Sequence, residues 1–183
     1  MPTPVCYDVK IFDIHAHLLQ ITIQLPANIQ QTILRLPNWI PGSYMIRDFA
    51  QHVHQESAKD CLGQTLAWRK TSKHTWIVAP CQYDFTFTYI VFAHDLSVRS
   101  AFMNDLYAFV NGTSIFMQVI DDYDPKCDEL DDIRINDNKT YAVRLYANDY
   151  AIEHEWQVST TLPLLLKDEC PPDIYDPSQY VLG

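Results

Sequence analysis

Glycine is scarce in this chain of 183 residues, which contains four. That scarcity, with the absence of the spaced patterns, excludes phosphate-cradling glycine loops, dinucleotide fingerprints and the Gly-x-Ser-x-Gly elbow of serine hydrolases, which need glycine where the backbone approaches a ligand or turns sharply. Cysteines are few, odd in number and scattered: Cys6, Cys61, Cys81, Cys127 and Cys170, with no CxxC spacing. Neither a disulfide framework nor a thiolate zinc site is expected, and reduced thiols in a cytoplasmic protein are. No apolar run approaches the roughly 18 residues that span a bilayer, and Met1 to Lys10 lacks the basic stretch and apolar run of a secretory signal. Basic side chains are also short in number, 13 Lys and Arg against 23 Asp and Glu, for a net charge of -10. Such a field repels phosphate backbones and anionic lipid, so no nucleic acid and no membrane are expected as partners.

What the chain has is a globular share of apolar side chains, 48%, with 20% charged, and a period-two pattern. Leu19, Ile21, Ile23 and Leu25 interleave with Gln20, Thr22 and Gln24; residues 32–36 repeat the alternation and stop at Pro37. Tyr83, Phe85, Phe87, Tyr89 and Val91 make the clearest strand. Turn-forming residues at 60–64 and 71–73 punctuate apolar runs, and Asn111-Gly112 predicts a tight hairpin between 107–110 and 114–119, because both residues tolerate positive φ. A further hairpin is predicted from residues 133–136 and 141–146, and Glu155 to Val158 reads as a strand. No stretch of ten residues carries a helical period. The predicted class is all-β, an antiparallel β-sandwich of hairpins with few or no helices. Residues 1–165 form one domain, and the proline-rich residues 166–183 read as a linker or the start of a further domain, with no closing element among Tyr180 to Gly183. The acidic run from Asp121 to Asp132 lacks the glycine and the terminal glutamate of a calcium loop and reads as a solvated loop.

Candidate chemistry is thin. His15 and His17, like His52 and His54, are two apart, and on strands each pair would present two imidazoles to one face. No third ligand is identifiable by spacing, and histidines on the wet side of strands explain them as well. Asp13-Ile14-His15-Ala16-His17 is similar to the opening motif of amidohydrolase barrels, which need alternating strands and helices over about 250 residues. His154-Glu155 begins the His-Glu-x-x-His zinc motif, but Val158 stands in place of the second histidine. No cysteine has a nucleophile's local signature. No catalytic residue and no metal ligand is therefore assigned. The stretch from Leu36 to Phe49 stands apart: two prolines stiffen it, Pro41-Gly42 predicts a turn, and Trp39 and Tyr44 flank the charge of Arg47. It reads either as a plug for the end of a sandwich or as a binding loop on a rigid scaffold.

Residues 39–50, Trp-Ile-Pro-Gly-Ser-Tyr-Met-Ile-Arg-Asp-Phe-Ala, closely resemble the signature of the N-terminal domain of the glycyl aminopeptidase family, the sixty-first metallopeptidase family. Residues 95–102, 109–116 and 156–163 are similar to three further blocks in the family's order. The resemblance implies a β domain that precedes a thermolysin-like catalytic domain holding zinc through His-Glu-x-x-His and a downstream glutamate, with a PDZ domain in some members. The whole enzyme would remove small N-terminal residues such as glycine from peptides. It implies no cofactor in this chain and zinc in the catalytic domain of the same polypeptide, which this sequence does not include. On that view the chain is inactive alone, packs on the catalytic domain and forms one wall of its cleft, with Tyr44, Arg47 and Arg99 as substrate-binding candidates. Arg47 either fixes a carboxylate across the interface or braces its own turn, and Asn111 serves its hairpin. The alternative is a free-standing β-sandwich module that binds a peptide or protein through the Trp39 to Arg47 loop.

Overall fold

Alternation in the sequence becomes the inner face of a sheet. In the computed structural model of the chain, which describes residues 5–40, 43–120 and 141–162 and the backbone of 179–182, strand β2 (Leu18–Leu25) buries every second side chain, from Leu19 to Leu25. The cause is the two-residue period of a pleated strand. β7 (Phe85–Phe92) does the same with Phe85, Phe87, Tyr89 and Val91, and the register sets Ile21 opposite Tyr89 and Ile23 opposite Phe87. β1 (Val5–Asp13) flanks β2, and β4 (Val53–Asp60) flanks β7. β11 (Tyr141–Tyr146) and β12 (Gln179–Leu182) complete a six-stranded sheet in the order β12-β11-β1-β2-β7-β4.

A second sheet runs β10 (Gln118–Ile120), β3 (Thr32–Arg35), β6 (Thr75–Val78), β5 (Trp68–Lys70). Its Leu34, Trp76 and Val78 share one core with Ile21 and Phe87 of the first. The Trp68 ring meets Phe87 edge-on at 5.9 Å across the gap. The predicted all-β sandwich is what forms. A bulge between His54 and Ser57, with Gln55 at φ 55, interrupts the edge strand β4. Beside it Glu56 accepts a hydrogen bond of 3.1 Å from the buried Trp76 indole, which satisfies the one polar atom of that side chain. A bulged edge is also a poor template for pairing with another chain.

Several details differ from the sequence reading. β1 and β11 pair in parallel, Asp8 beside Arg144, because β11 returns along the free edge that the β1–β2 hairpin leaves; alternation carries no information on strand direction. The hairpin predicted around Asn111-Gly112 does not form. β9 (Ala108–Val110) pairs instead with β8 (Ala101–Met103), and β10 pairs with β3. Asn111 sits at φ -90 and its side chain accepts from the Thr113 amide, capping a 3-10 turn over Gly112–Ser114. The polar side chain of asparagine caps as readily as it turns. Tyr83 lies before β7 and is half exposed. Tyr180 to Gly183 reads as holding no closing element, but Gln179–Leu182 pairs antiparallel with β11. The turn at Pro41-Gly42, the acidic run, the strand at 133–136 and the proline-rich segment 163–178 lie outside the described residues.

Two tyrosines tie the layers together. Tyr7, on β1, donates to the Met117 carbonyl at 2.6 Å, and Tyr89, on β7, donates to the Ile115 carbonyl at 2.6 Å while accepting from the Met117 amide at 3.3 Å. They satisfy the buried backbone that leads into β10, which no ladder partner reaches before Gln118. Burial pushes both phenols well above their usual range, helped at Tyr7 by Tyr141 and at Tyr89 by Tyr7; the Met117 hydrogen bond works the other way on Tyr89. The folded state therefore keeps these protons while unfolded tyrosines lose them above about pH 10. Stability is unaffected below that pH and falls above it by roughly 1 kcal/mol per pH unit for each tyrosine. Urea unfolding measured across the alkaline range will show this fall, and Tyr7→Phe will make it shallower. At neutral pH Tyr89→Phe, which leaves two buried backbone groups short of a partner, will cost about 1–3 kcal/mol.

Candidate functional site at the loop end

Strand direction decides which loops meet. β2, β4 and β6 run away from one end of the sandwich, and β1, β3, β7 and β11 run toward it. That end therefore collects the β1–β2 turn at 14–17, the long connection 36–52, the turn 71–74 and the excursion 93–117 that carries the β8–β9 hairpin. The segment after β11, with the short helix α1 (Asp149–Glu153), joins them. Hydrogen bonds knit the cluster: Ala93 N–H to His17 O at 2.8 Å, Met103 N–H to Ala93 O at 2.8 Å, and the Tyr150 hydroxyl to Asp105 O at 3.0 Å.

The exposed apolar side chains sit mostly here. Tyr44, Met45 and Ile46 are bare on the long connection, Tyr44 completely so at 106%. Leu96 and Val98, then Leu106, Tyr107 and Phe109 on or beside the hairpin, are exposed too, whereas the opposite end shows Ile29, Leu62 and Tyr83. A groove of about 230 Å³ beside Cys61, between Leu25 and Phe85, lies at that opposite end and contains no candidate residue. Exposed apolar area gathered on one end of a domain marks a contact surface.

The long connection is held in shape by its own bonds. Trp39 Nε1 donates to Ser43 O at 2.7 Å, Ser43 N–H to Ile40 O at 3.0 Å, and Arg47 N–H to Asn38 O at 2.6 Å. Arg47 thus braces the loop through its backbone, while its side-chain Nε is buried and has no hydrogen-bond partner among the described residues. Arg99 is exposed on the excursion after β7, its amide held by the Ser97 hydroxyl at 3.3 Å. Tyr44, Arg47 and Arg99 share the loop end, but among the described residues no hydrogen bond or ring contact links the three.

The histidine pairs part company. His15 and His17 lie in the turn before β2 and not on a strand. His15 meets the Tyr150 ring edge-on at 6.1 Å, while His17 stacks on His94 with centroids 3.9 Å apart. His17 holds φ 59, a conformation that costs a non-glycine residue about 1–3 kcal/mol. Its Nδ1 is 2.6 Å from the Met103 carbonyl, so that nitrogen carries the proton and donates. His52, ending the 3-10 turn Phe49–His52, lies 6.3 Å from the Phe92 ring, and His54 is exposed on β4. Rings stacked face to face aim their lone pairs side by side, not at one point. Among the described residues no group of three or more His, Cys, Asp or Glu is placed to hold a metal ion.

His154-Glu155 ends a helix instead of opening one. His154 caps α1, Glu155 takes φ 50, and Trp156 N–H reaches back to Ala151 O at 2.9 Å. This closure, common at helix C-termini, replaces the strand predicted at 155–158. The sequence reading missed His94, Phe92 and Phe102, which form a run of rings with His17 and Tyr107. Their spacing carries no signal, since strand pairing and the return of the hairpin bring them together. Replacing Arg47 with Met will change the urea-unfolding stability of the isolated chain by less than about 1 kcal/mol, because the side chain breaks no hydrogen bond. A larger loss would show that the side chain itself braces the loop.

Similarities to known proteins enter on this geometry. A family model described as Peptidase M61 N-terminal domain matches residues 6–180. The crystal structure of the aminopeptidase N family protein from Idiomarina loihiensis resembles the chain with a TM-score of 0.74 at 29% identity, over 97% of this chain and 26% of that one. The chain thus spans about a quarter of the length of that protein. No curated protein matches. Among the described residues no helix is long and apolar enough to cross a membrane.

Proposed function

The chain belongs to the family of peptidase M61 N-terminal domains, and on that premise we propose that it is the non-catalytic β domain of an aminopeptidase, packing through its loop end on a catalytic domain of the same polypeptide. The observation that carries this reading is the gathering of Tyr44, Met45, Ile46, Leu96, Val98 and Leu106 on one end of the sandwich. Isolated domains rarely leave so many large apolar groups together without a partner to cover them. The similar Idiomarina loihiensis chain is about four times as long, which supplies room for such a partner. Zinc, which the aminopeptidase reading implies, finds no ligand set among the described residues, so no step of peptide hydrolysis is assigned to them.

In this reading the chain's part is shape. Tyr44 stands between Ser43 and Arg47, which are bonded to Trp39 and Asn38, and a preformed wall lowers the entropic cost of positioning a peptide. Arg47 and Arg99 would meet carboxylates, Arg47 with the Nε that now lacks an acceptor. The substrates would be peptides with a small N-terminal residue, and the protein would work in the cytoplasm. One observation favours the alternative, a free-standing module that binds a peptide or protein through the same loop. The bonds of the loop, Trp39 to Ser43 and Arg47 to Asn38, are made within the loop itself.

Amide exchange separates the two readings. In a polypeptide that joins this chain to a catalytic domain, residues 44–47, 96–99 and 106–109 will exchange more slowly than in the 183-residue chain alone. Unchanged exchange would favour the free-standing module. The isolated chain, given zinc and a glycine p-nitroanilide, will show no turnover above buffer, and zinc-dependent hydrolysis would overturn the non-catalytic assignment.

A further inference from the structure

The stack of His17 on His94 is a titratable pair at the loop end that the docking role leaves unused. We propose that it is an acid-operated latch for the β8–β9 hairpin: the hairpin is ordered while the pair carries at most one proton and comes loose when it carries two.

The bonds around the pair give it that leverage. His17 Nδ1–H is committed to Met103 O, at the end of β8, so the next proton on this ring enters at Nε2. The His94 ring lies between His17 at 3.9 Å and Phe102 at 5.3 Å. His94 is also bridged to Phe102 of β8 through the backbone. The pair therefore joins the β1–β2 turn, the end of β7 and the first strand of the hairpin. Two imidazolium rings in parallel contact repel and cannot hydrogen-bond one another. His94 is exposed and His17 half-buried, so water moderates the repulsion, with no carboxylate among the described residues ion-paired to either ring. On the turn, Asp13 is bonded to the His15 and Ala16 amides, and His15 faces Tyr150. Across Phe92 stands His52. The loop after His94 carries Asp95 and Arg99, the hairpin Asp105, and α1 Asp149 and Glu153 with His154 at its end. Among the described residues none of these carboxylates makes an ion pair with either ring. The left-handed φ of His17 adds to the leverage, since such a conformation persists only while its surroundings enforce it.

The hairpin carries or adjoins Leu106, Tyr107 and Phe109, so an acid-loosened latch would also weaken docking at the loop end. That consequence rests on the docking reading; the latch does not, and the isolated chain tests it alone. Amide exchange, corrected for intrinsic rates, is compared at residues 101–110 and in β2 from about pH 7.5 to about pH 5, on either side of the imidazole range. Protection at 101–110 is expected to fall about fivefold or more, the scale of repulsion in water between charges some 4 Å apart, while β2 holds. His94→Phe keeps a flat ring in the stack with no proton to accept, and is expected to keep the protection. Undiminished protection of the wild-type hairpin near pH 5, or an equal loss in a folded His94→Phe, would overturn the latch. Should His94→Phe fail to fold, carbon-13 ring shifts of the wild-type histidines replace it: the hairpin must loosen with the second proton on His17 and His94, and loosening at any other step refutes the proposal. Unchanged exchange in the polypeptide that joins the chain to a catalytic domain would refute docking and leave the latch standing.

Discussion

Two phenol hydroxyls hold a stretch of backbone that strand pairing does not reach, and much of the architecture hangs on them. Ile115 and Met117 are completely buried, between a 3-10 turn and β10, with carbonyl and amide groups that need partners away from water. Tyr7 and Tyr89 supply those partners from the opposite sheet. The excursion from Ala93 to Met117 is thereby closed at its far end, and β10 is delivered to the edge of β3. A phenol reaches further than any other uncharged hydroxyl while burying a full ring, which is why tyrosine does this work inside an otherwise apolar core.

Because the excursion is closed, its middle can be exposed. The β8–β9 hairpin rests on the sandwich through buried Ala101 and Met103 and turns its tip outward. The long connection between β3 and β4 does the same by bonding to itself. Bare apolar loops gathered at one end are what the proposed docking rests on, and the chain belongs to a family of peptidase N-terminal domains. Among the described residues no group of His, Cys, Asp and Glu converges at that end, for a physical reason. The histidines that sequence spacing pairs are pulled to different partners, His15 to Tyr150 and His17 to His94, and stacked rings do not converge their lone pairs.

Strands with one wet face were legible in the sequence, because burial on a single side imposes a period of two: Leu19 to Leu25 and Phe85 to Val91 needed no tertiary information. Asn111-Gly112 misled because asparagine's side chain can cap a 3-10 turn as readily as its backbone can enter a tight hairpin turn, and only the competition of β3 for residues 118–120 decided between them. Glu155 to Val158 misled because a five-residue helix is too short to show a period, and its end puts Glu155 in a conformation that a propensity reading assigns to glycine. The loop from Trp39 to Arg47 was conspicuous in composition, yet which of its groups are satisfied was not. Trp39 found Ser43, and Arg47 Nε found no partner among the described residues.

The sequence by itself determined the all-β class, the inward faces of β2 and β7 and, through four short blocks of resemblance, the family. Those are properties of local pattern, and local pattern survives in one dimension. Only the tertiary structure decided that β11 lies parallel to β1, that five loops meet at one end, and that His94 completes a stack with His17. Direction, pairing order and ring contact depend on where distant segments come to rest, since the pleat sets which face a side chain takes and not which strand it meets.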